Sequence, residues 1–179
     1  PRSSSAASDV YKRQVTVSRL GGRGMLWSRI GDDDLGQRIR RELQDFAVDT
    51  ELLQVVNDCA SALSCVFIDH QGERLLVNHC DARLFADANE LLPLQHITNA
   101  DALLVDLRWP FAAEAILRLA HQHAIPAVLD YDQLSGNNAE VLLNLASHVV
   151  FGKQALQQLS GKTDAGAGLR YARNRSNQI

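Results

Sequence analysis

The chain has 179 residues, 46% of them apolar and 22% charged, with a formal net charge of -3. That is enough for one ordinary domain with a hydrophobic core, and it excludes a disordered chain, a collagen-like repeat and a small disulfide scaffold. The charge balance shows no basic excess and only 6% of residues are aromatic, which argues against a nucleic-acid partner. No apolar run approaches the ~20 residues that span a bilayer, so no membrane partner is expected.

Residues 1–14, PRSSSAASDVYKRQ, are polar and serine-rich with no apolar periodicity. They lack the apolar centre of a signal peptide. The stretch reads as a disordered leader or as sequence foreign to the domain, and the organised pattern starts near Val15. Val15 to Leu20 reads as the end of a helix, stopped by Gly21 and Gly22. Gly24 to Ile30 reads as a strand. Gly31-Asp32-Asp33-Asp34 reads as a turn with an aspartate able to cap the next helix. That helix is expected from Leu35 to Phe46, with Ile39, Leu43 and Phe46 on one face.

The pattern changes at residues 54–80. Ser61 to Asp69 and Glu73 to His79 are strand-like runs, joined by His70-Gln71-Gly72 with glycine where a positive φ is useful. So tight a connection marks a hairpin flap rather than a crossover unit. Beyond residue 98 strands and helices alternate. Strands are expected at 102–106, 127–130 and 148–151. Helices are expected at 111–124, 138–146, 154–160 and about 164–173. This alternation implies an α/β fold with a parallel sheet flanked by helices.

Cys59, Cys65 and Cys80 are odd in number and form no CxxC pair. They read as buried or half-buried thiols in a reducing cytoplasm. His79, Cys80 and Asp81 alternate across a strand and make no metal site. His121 and His123 point apart on a helix and cannot chelate.

Ligands of open parallel sheets bind beyond the carboxyl ends of the strands. The candidates there are Asp106, Arg108 and Trp109 after one strand and Asp130 and Asp132 after another. Asn78 ends the second hairpin strand. The Arg108 fork suits an oxyanion; the alternative is an ion pair with Asp106 or Glu114. Asp130 and Asp132 suit sugar hydroxyls or a metal; the alternative is a turn ending the strand. Three glycine-rich stretches are poor phosphate loops. Gly21-Gly22-Arg23-Gly24 has the wrong spacing and order. Gly161-Lys162-Thr163 lacks the required upstream glycine, with Leu156 in its place. Gly166-Ala167-Gly168 has no strand close before it and suits a small-residue helix face.

Together these segments resemble the PfkB, or ribokinase-like, family of carbohydrate kinases. Ser18 to Thr50 resembles the family's N-terminal signature, with Gly21, Gly31, Asp32, Asp33 and Gly36 in matching places. Ala47-Val48-Asp49-Thr50 stands where the family has Gly-Val-Asp-Thr. Ser61 to His79, with Gly-Glu-Arg at its turn, resembles the family's lid hairpin. Ala100 to Asp132 resembles the sulfofructose kinase and ketohexokinase-like branch, through Asp-x-Arg-Trp.

The resemblance implies a ribokinase-like sheet with a small hairpin lid, and transfer of the γ-phosphoryl of ATP, with Mg²⁺, to a sugar hydroxyl. It implies that Asn78, Arg108 and Asp130 face the sugar, with Arg108 on an anionic substituent. The partner is then a sugar or phosphosugar, with a possible homodimer through the lid. The match runs from about Val15 to Ile179 and covers only the middle of a family member. The opening strand, its substrate aspartate and the sugar-binding glycine motif have no counterpart, and neither does the nucleotide-binding half. The family's Gly-Ala-Gly-Asp, whose aspartate is the catalytic base, is imitated by Gly166-Ala167-Gly168, with Leu169 in place of aspartate. Its Asn-x-x-Glu is replaced by Gly152, Lys153, Gln154 and Ala155. No catalytic or metal residue is therefore assigned. The expectation is a cytoplasmic kinase fragment without catalytic activity, or else a sugar-phosphate-binding or dimerisation module.

Overall fold

The structure is a computed structural model, and it describes residues 9–86, 94–132 and 139–175. Two compact units divide the chain, residues 1–86 and 87–179.

The first unit opens with α1, Asp9–Arg19. The helix starts inside the stretch read as a leader, because the Asp9–Gln14 segment continues directly into the Val15 turn. Residues 1–8 lie outside the described residues. Gly21, at φ 86°, ends the helix as expected, and the Gly22 amide donates to the Val17 carbonyl at 3.0 Å. The first strand, β1 (Ser28–Gly31), is shorter than expected and includes Gly31; before it, Met25 makes only an isolated parallel bridge to Asp49. Helix α2, Asp34–Asp45, follows. Then comes β2, Leu53–Val56, which pairs parallel with β1. Periodicity gave no sign of β2, since only four residues are paired and two of them are half-buried. Leu26, Ile30, Leu43, Val48 and Leu53 form the core, with Val15, Ile39 and Phe46 packed against it. Each fully buried aliphatic side chain of this kind contributes ~1.5–3 kcal/mol.

The hairpin is β3, Leu63–Ile68, and β4, Arg74–His79. The strands pair antiparallel with Leu63 opposite His79 and Ser64 opposite Asn78. Its loop is an Asx turn: the Asp69 carboxylate accepts from the amides of Gln71 at 2.8 Å and Glu73 at 2.9 Å. Gly72 takes φ 85°, as the loop requires.

In the second unit α3, Leu94–Thr98, precedes β5, Leu103–Asp106. Helix α4, Pro110–Gln122, carries its proline in the first turn, where a missing amide costs nothing. Strand β6 is Ala127–Tyr131, α5 is Ala139–Leu145 and β7 is His148–Phe151. The order β5-β6-β7 is parallel throughout. Val105, Leu117, Ala127, Leu129, Tyr131, Leu142 and Leu143 make its core. Helices α6, Lys153–Ser160, and α7, Ala165–Arg175, complete the unit. The expected α/β architecture with an antiparallel hairpin is present. Its strands lie in three sheets, with orders β1-β2, β3-β4 and β5-β6-β7.

Two backbone positions carry clear consequences. Ala47 sits at φ 57°, a conformation disfavoured by the Cβ of any residue but glycine. Ala47→Gly should therefore stabilise the chain by up to ~1 kcal/mol after the added unfolded-state entropy is subtracted. A urea titration reads this as a higher midpoint at unchanged slope. Gly31 is the opposite case. A Cβ there would overlap the Cys59 carbonyl oxygen and lie 2.6 Å from the Ser61 amide nitrogen, both backbone.

Candidate functional site

The Gly-Asp-Asp segment at the end of β1 clamps the chain on its way into the hairpin. Asp32 accepts from the Asp58 amide at 2.9 Å and the Cys59 amide at 3.3 Å. Asp33 accepts from the Ser61 hydroxyl at 2.6 Å, the Ser61 amide at 2.9 Å and the Gly36 amide at 2.8 Å. The last bond makes Asp33 the N-cap of α2. The Ser61 hydroxyl in turn accepts from the Gly31 amide at 2.9 Å. Burial opposes ionisation of Asp33, but the hydrogen bonds from Ser61 and Gly36 outweigh it and hold its carboxyl below the ordinary range. These aspartates are thus anchors for the hairpin, a role the motif's spacing alone does not reveal.

The exit of the hairpin is braced as well. Arg83 donates to Asp81 from Nε at 3.0 Å and Nη2 at 2.6 Å. This guanidinium holds the Asp81 carboxyl far below its usual range. The Cys59 thiol also reaches Asp81, and burial, then that carboxylate, push the thiol upward. Arg29, 6% exposed, bonds Gln54 at 3.0 Å and the Ala86 carbonyl at 3.2 Å. Of the three thiols only Cys59 is buried; Cys65 and Cys80 are exposed. This corrects the expectation for those two, because the hairpin strands have little packed against them.

Asn78 lies on β4 beside Ser64 and is exposed. The opposite hairpin face carries Leu63, Cys65, Phe67, Leu75 and Val77. A shallow depression of about 370 Å³ at the hairpin tip is lined by Phe67, Ile68, Asp69, Glu73 and Leu75. None of the expected sugar residues lines it.

Arg108 and Asp130 belong together at one end of the second unit's sheet. Asp106 and Asp130 are register partners on β5 and β6. Arg108 follows β5 with its amide donating to the Asp106 carboxylate at 3.1 Å. Its guanidinium lies 3.8 Å from Asp106 through Nε and 3.8 Å from Asp132 through Nη2. Of the two ion-pair partners expected for Arg108, Asp106 is observed; Glu114 pairs with Arg118 instead. Asp132, one residue past β6, is the partner that strand-end reasoning missed. Asn78 belongs to the first unit and Arg108 and Asp130 to the second.

The glycine-rich stretches hold structural positions. Gly166-Ala167-Gly168 lies within α7, and a Cβ on Gly168 would meet Leu156 Cγ at 3.0 Å. That glycine lets α7 pack on α6. Gly161, at φ 66°, is the left-handed cap of α6. Gly152 passes so near β6 that a Cβ would stand 3.3 Å from Asp132 Cα, and Ala155 is buried. Among the described residues no group of three or more His, Cys, Asp or Glu side chains could hold a metal ion, and no helix is long and apolar enough to cross a membrane.

A parallel α/β unit joined in sequence to a braced antiparallel hairpin defines a ribokinase-like fold. Residues 14–175 match the model of the pfkB family of carbohydrate kinases, and the chain belongs to that family. It is similar to a candidate ribokinase from Agrobacterium tumefaciens, with 36% identity and a TM-score of 0.85, covering 94% of this chain and 56% of that one. The ribokinase of Mus musculus is 23% identical over 66% of this chain and 39% of its own length. The ATP-dependent ribose-1-phosphate kinase of Halopiger xanaduensis is 30% identical over 56% of this chain and 34% of its own. The fold is also that of an Arabidopsis thaliana ribokinase complexed with ribose and ATP, at 14% identity and a TM-score of 0.76, covering 95% of this chain and 58% of that one. The chain thus spans between a third and three fifths of these proteins. These relatives are ribokinases and a ribose-phosphate kinase, so the family assignment stands without the sulfofructose kinase branch.

The clamp makes a pH-dependent prediction. The depressed carboxyl of Asp33 stabilises the fold at pH values above its unfolded value of about 3.9, and that contribution is lost as pH falls through the lower folded value. Asp33→Asn should cost ~1–3 kcal/mol at neutral pH. The gap to the wild type should shrink below about pH 4, as read by urea unfolding at a series of pH values.

Proposed function

We propose that this chain is the sugar-side portion of an ATP-dependent carbohydrate kinase, and that as it stands it binds a sugar without phosphorylating it. The observation that carries the second half is Gly168. It is buried against Leu156 in a helix pair, and Leu169 beside it is 49% exposed. Gly166–Gly168 are committed to a helix rather than to a phosphoryl cradle, and Leu169 beside them offers no carboxylate to take the proton of a sugar hydroxyl. No step through ATP or Mg²⁺ is assigned to residues of this chain.

The sugar side rests on Arg108 and Asp130 at the carboxyl end of β5 and β6, where ligands of parallel sheets bind; Asn78, exposed on the hairpin of the first unit, is proposed separately as a sugar contact. Residues 1–14 are not part of the working domain in this reading, although α1 begins within them. A cytoplasmic location goes with the proposal. The purified chain should show no ATP turnover above background with ribose, fructose or no sugar in a coupled ADP assay. A sugar should nevertheless raise its thermal midpoint, and Arg108→Ala should remove most of that rise. Turnover would sink the first part, and an unmoved midpoint with every sugar would sink the second.

A second reading has its own support. Phe67, Leu75 and Val77 are 60%, 64% and 53% exposed on one hairpin face, a patch suited to a homodimer through the lid. Sedimentation velocity should then show a dimer that Phe67→Glu converts to monomer.

A further inference from the structure

The hairpin has two legs, and they are held to the first unit in different ways. The entry leg, residues 58–61, gives its own backbone amides to Asp32 and Asp33. The exit leg, residues 80–86, is a compact turn. Its Asp81 carboxylate accepts from the Arg83 amide at 3.0 Å as well as from the Arg83 side chain, and the Leu84 amide donates to the Asp81 carbonyl at 3.0 Å. Leu84 is 0% exposed, so the turn is seated by an apolar plug. Being bonded internally, the turn moves as one piece. A shift at Ala86 is therefore passed back to β4, which ends at His79.

The hold on Ala86 starts on β1. Parallel register sets Arg29 opposite Gln54 on β2. The Gln54 Oε1 accepts from Arg29 Nε at 3.0 Å, and this orients the guanidinium so that Nη1 donates to the Ala86 carbonyl at 3.2 Å. Arg29 is 6% exposed, and a charge-assisted bond from so dry a donor is strong. The planar fork makes both bonds at once, which the point charge of a lysine or the thioether of a methionine cannot do.

We infer that Arg29 is a positioning residue for the hairpin: oriented by Gln54, it fixes the end of the exit leg and, through it, the strand that carries Asn78. The clause on Asn78 rests on the sugar-side reading above; the hold on the exit leg stands without it.

Cys59 supplies the readout. Its side chain is buried on the entry leg with the thiol against Asp81 of the exit leg, so a reagent reaches it when the exit leg lifts. The measurement is the rate of maleimide labelling of Cys59 in the folded full chain, relative to the urea-unfolded chain. The exposed thiols of Cys65 and Cys80 are first removed by Cys65→Ser and Cys80→Ser. In that background Arg29→Met should speed labelling of the folded chain at least ~10-fold. The faster rate should depend little on urea below the unfolding transition, the mark of a local opening. Gln54→Leu keeps the charge but removes what orients it, and should give a smaller rise. Unchanged labelling in Arg29→Met overturns the inference. So does a rise that follows urea as steeply as global unfolding, because a merely structural arginine gives that result. If Arg29→Met does not fold, Gln54→Leu is read by the same criteria. The ribose-induced rise in thermal midpoint should also shrink in Arg29→Met, and a full rise beside faster labelling overturns the role toward Asn78. No rise with ribose in the wild type sinks the sugar-side reading and the Asn78 clause with it, while the labelling rates still decide the hold on the exit leg.

Discussion

The first unit depends on one carboxylate. Asp33 caps α2 through the Gly36 amide and holds Ser61 through two further bonds. The start of a helix and the root of the hairpin are thereby fixed to the same group. The two anchors are linked, because the Ser61 hydroxyl that donates to Asp33 also accepts from the Gly31 amide at the end of β1. Strand, helix and hairpin meet in a few residues, and Gly31 has no Cβ because the backbone at Cys59 and Ser61 fills that space. Gly31, Asp32 and Asp33 meet these requirements together within three consecutive residues.

The second unit solves a different problem. Its three parallel strands are held by aliphatic burial, with Leu117, Leu129 and Leu143 almost fully enclosed. The carboxyl ends of β5 and β6 then place Asp106 beside Asp130 by register alone. Cross-strand carboxylates repel, and Arg108 with Asp132 completes the charge arrangement. The same sheet geometry that makes the core thus assembles the polar end.

Much of this was legible in the residues. Period-two and helical patterns, Pro110 at a helix start and Gly72 at the hairpin turn placed most elements within a few positions. The short, half-buried β2 was not legible, because four residues with alternate burial give too little periodicity. Nor was the start of α1, where small and polar residues disguise a helix. The strand-end rule located Arg108 and Asp130 but not the pairing of Arg108 with Asp132, a contact between the ends of two strands that sequence spacing does not encode. Cys65 and Cys80 were misjudged because burial statistics assume two covered sheet faces, and the hairpin lacks them.

That hairpin has a dynamic consequence. It is two strands wide, largely solvated, and tied down at Cys59–Ser61 and Asp81–Ala86 by the braces described above. Isolated two-stranded ribbons are barely stable in water. The hairpin therefore opens as a separate cooperative unit, at a free energy well below that of the aliphatic cores, and its amides exchange with solvent while β1 and β6 remain protected. The root, fixed through Asp32, Asp33 and Asp81, stays ordered while the ribbon above it opens.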